Sequence, residues 1–206
     1  MSALDFLTPG ELEALRLTLR VGTWNLIIGL PLAVVVAWLL ARCRFPGKEL
    51  LNGLVHLPLI LPPVVTGYIL LILFGRRGPV GELLESWFGI VVAFRWTGAV
   101  IAATVMAFPL MVRPIRLSIE AIDQRLEAAA GTLGANPLAV FATVTLPLAL
   151  PGIVAGGILG FAKGMGEFGA TITFVSNIPG ETRTLPLAIY TFTQIPGGDL
   201  GAFRLS

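Results

Sequence analysis

EAAAGTLGANPLAVFATVTLP, residues 127–147, opens on small residues, breaks at glycines and Asn-Pro, and closes as an apolar run on Leu-Pro. It begins an uncharged stretch, residues 128–162, that is too long for one membrane-crossing helix of about 20 residues. Gly131, Gly134 and Asn136-Pro137 divide that stretch. Asp123 suits the cap of a short helix, and Gly134 suits the left-handed position after Leu133. Asn136 can cap a second helix whose first residue is Pro137, where a missing N–H costs nothing. The reading is a short helix ending near Leu133, a turn, and a span over about 137–162. A short, smooth helix at a membrane face is what a soluble partner needs in order to push on a membrane protein.

Composition supports the membrane. Of 206 residues, 55% are hydrophobic and 13% charged, far below the roughly 25% charged of soluble domains. Charge-free runs predict further spans over about 17–41, 50–75 and 96–119, the last reached by letting Arg113 and Arg116 snorkel. The fold class is therefore all-α and polytopic, with four transmembrane helices and a coupling loop over about 123–137. Pro58, Pro62 and Pro63 either kink the second span or delay its start. After Lys163 the uncharged runs are short and broken by Pro179, Pro186 and Pro196, which reads as re-entrant, interfacial or partly buried backbone. The first 20 residues hold Asp5, Glu11 and Glu13 and no basic start, so no cleaved signal is expected and the first apolar run acts as an anchor. Basic residues fall on both sides of the predicted spans and leave orientation open.

Several function classes are disfavoured. One histidine leaves no His-based metal centre or catalytic triad, so no catalytic residue, metal or cofactor is assigned. No G-x-x-x-x-G-K-[ST] phosphate loop occurs, so any nucleoside triphosphate belongs to another chain. Net charge is +2 with no basic, aromatic-laced stripe, which argues against nucleic acid. The single Cys43 excludes an internal disulfide.

Residues 127–147 resemble the cytoplasmic EAA loop of ABC-importer permease subunits: Glu-Ala-Ala, three residues, Gly, nine residues, Ile, any residue, Leu-Pro. Anchored on Gly134, the pattern falls on Ala129 and Ala130 and on Val144, Leu146 and Pro147. Its Glu position falls on Ala128, with Glu127 one residue early. GEFGATITFVSNIPGETRT (166–184), HLPLILPPVVTGY (56–68) and FPLMVRPIRLSIE (108–120) look like the molybdate branch of those permeases, close to sulfate and tungstate permeases. The resemblance covers nearly the whole chain.

It implies a permease subunit of a molybdate importer in the bacterial inner membrane, working as a homodimer. The implied partners are two cytoplasmic ATP-binding subunits, a periplasmic molybdate-binding protein and the lipid bilayer. It places ATPase docking on Leu126, Glu127, Ala129, Ala130, Leu133, Gly134 and Asn136. The family carries one more helix beyond Arg204-Leu205-Ser206.

Candidate pathway or gate residues are Pro62, Pro63, Gly166, Glu167, Gly169, Thr171, Thr173 and Ser176. Two readings of Glu167 stand side by side, a polar group at the path or hinge and an interfacial carboxylate paired with Lys163. Thr171, Thr173, Ser176 and Asn177 either donate to an anion path or serve as ordinary polar residues on a helix. Arg113, Arg116 and Glu120 read as a boundary cluster that braces the docking helix, or as a pore element. Two alternatives remain: a sulfate or tungstate permease, and a membrane scaffold or channel without ATPase coupling.

Overall fold

A computed structural model describes residues 7–206; Asp5 lies outside them. Every regular element among the described residues is helical. Helix α1 (Pro9–Arg42) starts well before the predicted boundary at 17 because Thr8 caps it. The Thr8 hydroxyl accepts from the Glu11 amide, and the Glu11 carboxylate accepts from the Thr8 amide at 2.7 Å. That reciprocal box satisfies two otherwise orphaned donors.

The second predicted span is two helices, α2 (Lys48–Ile60) and α3 (Pro63–Phe74), bent by 118°. Leu61 and Pro62 are both extended, at ψ 141° and 135°. A residue preceding proline is driven out of the helical region. The two successive prolines therefore force two successive extended residues, while Pro58 sits inside α2 without ending it.

Helix α4 (Pro79–Phe88), absent from the sequence reading, is short and leaves Leu83, Trp87 and Phe88 exposed. Helix α5 (Trp96–Glu120) follows the predicted bounds and keeps Arg113 and Arg116 within it.

Helix α6 (Gln124–Thr132) leads through a turn to α7 (Pro137–Val140), a π-helical turn (Phe141–Thr145), α8 (Leu146–Leu148) and α9 (Leu150–Met165). The predicted 137–162 span is thus bent by 70° between Pro137–Leu148 and Leu150–Met165. Three short helices complete the chain, α10 (Gly169–Val175), α11 (Leu185–Thr193) and α12 (Asp199–Leu205). Helices α1 and α5 are each long and apolar enough to cross a membrane, and both bent pairs pass the same test when taken together.

The centre is a three-helix packing of α1, α5 and α9. Gly152, Gly156, Gly160 and Gly164 recur every fourth residue along α9 and are all buried. A Cβ on Gly156 would lie 2.8 Å from the Met111 carbonyl oxygen, and one on Gly160 would overlap the Met111 side chain. The glycine row therefore lets α9 lie directly on the α5 backbone, the close approach that small residues permit between membrane helices. Asn25, fully buried on α1, donates its amide to the Gly160 carbonyl at 2.8 Å and ties the third helix in.

Two apolar cores flank this seam. One gathers Leu17, Val21, Ala99, Ala103 and Phe174 at the end where α5 begins. The other gathers Ala33, Ala37, Met111, Ile115 and Ile119 at the end that carries α6.

Candidate functional site

The α5–α9 connection is built from local caps. The Asp123 carboxylate accepts from the Arg125 amide at 2.9 Å and starts α6. Gly134 ends the turn at φ +90°, with open space around it, so backbone conformation alone selects glycine there. The Asn136 side chain accepts from the Ala139 amide at 2.8 Å and starts α7, with Pro137 at its first position. The short helix, the turn and the second cap all stand where the sequence placed them.

Helix α6 has no buried residue. Leu126 and Ala129 are exposed, Ala130 is half-buried, and Leu133 is 89% exposed at its end. Beyond the turn Leu138 is exposed as well. The capped helix thus presents exposed leucines and alanines that the described residues do not cover.

Glu127 points the other way. Its carboxylate accepts from Arg42 Nε at 3.0 Å and from the Thr145 hydroxyl at 2.7 Å. Arg42 also donates to the Ile122 carbonyl at 3.0 Å, at the α5–α6 turn. Both charged side chains are largely buried, and Thr145 is 1% exposed inside the π-helical turn. One helical position corresponds to about 100° of rotation. Glu127 consequently faces the bundle, while Ala128, where the EAA pattern has its Glu, faces outward. Arg42 and Thr145 were not singled out from the sequence. Their pairing spans separations of 85 and 18 residues, beyond any local pattern.

The candidate pathway residues collect around α3 and α10. A Cβ on Gly169 would lie 2.7 Å from Pro63 Cβ, and one on Gly67 would lie 2.8 Å from Ala170 Cα. Pro63 and Gly169 are thereby brought together, next to Pro62 in the extended break. Gly166 caps α9 and forms the bend into α10.

Glu167 is 3% exposed, pairs with Lys163 at 2.7 Å and accepts from the Ala170 amide at 3.0 Å. Its carboxylate therefore anchors α10, in the i,i+4 pairing that was one of its two readings. Thr171 is buried, and the Thr173 hydroxyl donates to the Gly169 carbonyl at 2.9 Å within its own helix. Ser176 is exposed at φ +65°, where α10 stops. Asn177 donates to Thr191 at 2.8 Å and accepts from Arg183 at 2.9 Å, so its amide is spent on the loop. Arg116 bonds Glu120 and Asn52, which turns that cluster toward α2 rather than toward α6.

This architecture matches a known class. Residues 29–201 match the family of binding-protein-dependent transport system inner membrane components, and the chain belongs to that family. It is an inner-membrane, multi-pass protein of the ABC permease class.

Among curated relatives it is 60% identical to the molybdenum transport system permease protein ModB of Escherichia coli (strain K12), over 97% of this chain and 87% of that one. The ModB of Haemophilus influenzae (strain ATCC 51907 / DSM 11121 / KW20 / Rd) is 57% identical, over 95% of this chain and 85% of that one. The resemblance to molybdate permeases read from the sequence therefore holds.

Among solved structures, a bacterial ABC transporter involved in the import of the acidic polysaccharide alginate superposes at TM-score 0.72 with 16% identity, covering 97% of this chain and 76% of that one. An inward-facing MetNI methionine ABC transporter superposes at 0.62 with 19% identity, covering 100% and 94%. These two share the fold.

Proposed function

We propose that this chain is the translocation subunit of an ATP-driven molybdate importer. The observation that carries the reading is α6: a capped helix with no buried residue, anchored by a largely buried ion pair to the bundle. Similarity to the ModB permeases supplies the cargo. Two copies form the pathway at their interface. One ATP-binding subunit seats on α6 of each copy through Leu126, Ala129, Ala130, Leu133 and the Gly134–Asn136 turn, on the cytoplasmic side. A periplasmic molybdate-binding protein delivers the anion at the opposite end.

When ATP closes the ATPase dimer, α6 moves as a body, as short docked elements do. Arg42 and Thr145, both bonded to Glu127, pass that displacement to the end of α1 and to the π-helical turn that precedes α8 and α9. The glycine-packed α1–α5–α9 unit then tilts against α3 and α10. The Pro62–Pro63 break and the Gly169 contact are the gate elements in this scheme. The anion crosses unchanged, and its selection rests largely on the binding protein.

Gly134→Asp and Ala129→Trp are predicted to leave membrane insertion intact and abolish ATPase co-purification. Normal co-purification and uptake in both variants would sink the docking assignment and favour an uncoupled channel. For the cargo, uptake of labelled molybdate in a strain lacking its own system is expected to resist competition by excess sulfate. Sulfate import is the second reading, supported by 38% identity, over 86% of this chain and 62% of that one, to the sulfate transport system permease protein CysW of Synechococcus elongatus (strain ATCC 33912 / PCC 7942 / FACHB-805).

A further inference from the structure

We propose that the hollow between α2 and α5 is a binding site for a tetrahedral oxyanion, held chiefly by Arg113. Asn52, His56, Arg113, Arg116, Leu117 and Glu120 line this hollow of about 310 Å³. The hollow is open to the outside and has room for a five-atom anion with part of its hydration.

Two of its side chains are fixed in place. Arg116 donates to Glu120 at 2.7 Å and to the Asn52 side chain at 3.1 Å. The His56 ring nitrogen Nδ1 lies 2.8 Å from the Asn52 carbonyl, which only accepts, so Nδ1 carries the proton and the ring is held. The Glu120 carboxylate is spent on Arg116. Arg113 has neither an ion-pair nor a hydrogen-bond partner among the described residues. Two guanidiniums against one carboxylate leave the hollow with a net positive charge.

Position strengthens the argument. Helix α5 continues from Arg113 to Glu120, seven residues or about 10 Å. Arg113 is exposed there, so its guanidinium is open to an anion arriving from the α6 end. Guanidinium is also the side chain whose planar fork of donors fits the oxygens of a tetrahedral anion. Exposed Leu117 borders the hollow on α5, so an acyl chain has a surface beside the cation.

The same oxygen geometry has two sources. One is a free oxyanion of the transported class at the α6 end of the bundle; the other is the phosphate of an anionic lipid. The chemistry of the hollow stands on the residues above. Only the choice of molybdate as the free probe rests on the proposed permease function.

The test uses the whole transporter, permease with its ATP-binding subunits, in nanodiscs of phosphatidylcholine alone or mixed with phosphatidylglycerol. Saturable binding of labelled molybdate is measured by equilibrium dialysis, and retained phosphatidylglycerol by native mass spectrometry. Arg113→Gln is expected to weaken one of the two by about tenfold or more, as loss of a charge-assisted contact does. Arg113→Lys, which keeps the charge and loses the fork, is expected to fall between.

Weakened molybdate binding in phosphatidylcholine identifies the free anion as the ligand. Lost phosphatidylglycerol with unchanged molybdate binding identifies the lipid phosphate. Unchanged values for both probes in Arg113→Gln overturn the site, as does a wild-type transporter that binds neither. If Arg113→Gln does not assemble, Arg113→Lys alone decides, and wild-type binding of both probes by it overturns the proposal. Such a failure with normal molybdate uptake leaves the permease function standing, whereas loss of all uptake in the wild type strikes that function instead.

Discussion

Glu127, Arg42 and Thr145 carry the connection between the exposed helix and the bundle. The Arg42–Glu127 pair is largely buried on both sides, so removing one partner strands a charge. Arg42→Gln and Glu127→Gln should each destabilise the detergent-solubilised protein by about 1–3 kcal/mol. A thermal-unfolding double-mutant cycle should return a coupling of about 1 kcal/mol or more. Additive losses would dissociate the two residues. The glycine row is equally specific. Gly156→Leu drives side-chain atoms toward the Met111 carbonyl and should cost about 1–3 kcal/mol. Gly157→Ala, one residue along, would meet only Leu30 at 3.6 Å and should be tolerated in the same melt.

At the scale of elements, α6 was readable because its signals are local. Asp123, Gly134, Asn136 and Pro137 act through hydrogen bonds within a few residues of themselves. The bends were only half readable. Two successive prolines announce an interruption, but 118° between α2 and α3 is set by where α3 comes to rest against α10. Helix α4 went unread because a ten-residue amphipathic helix lacks the length that marks a span. The contact of α3 with α10 makes its own prediction. Gly169→Leu should push Pro63 away and reduce molybdate uptake, while the ATP-binding subunits still co-purify and hydrolyse ATP at the basal rate. Loss of co-purification in that variant would move the defect to the docking surface.

For the whole molecule, the testable quantity is coupling between its two ends. If Arg42 transmits the motion of α6, Arg42→Gln should keep basal ATP hydrolysis. Stimulation by the loaded binding protein should then fall roughly fivefold or more, a coupling of about 1 kcal/mol. Full stimulation in that variant would separate the ion pair from coupling.

The sequence by itself determined the all-helical membrane class, the α1 and α5 spans, the short capped helix and the family resemblance. Each of these rests on runs, caps and spacings read within about 20 residues. The four-residue glycine period of α9 was also present in the sequence, but only packing revealed that its face meets α5. Tertiary structure alone decided that Glu127 turns inward to Arg42 and that Arg113 is left beside Arg116 without a partner among the described residues. The reason is physical: a charged side chain's role is set by which groups share its low-dielectric surroundings. For Arg42 and Glu127 those groups lie 85 residues apart and meet only when the helices pack.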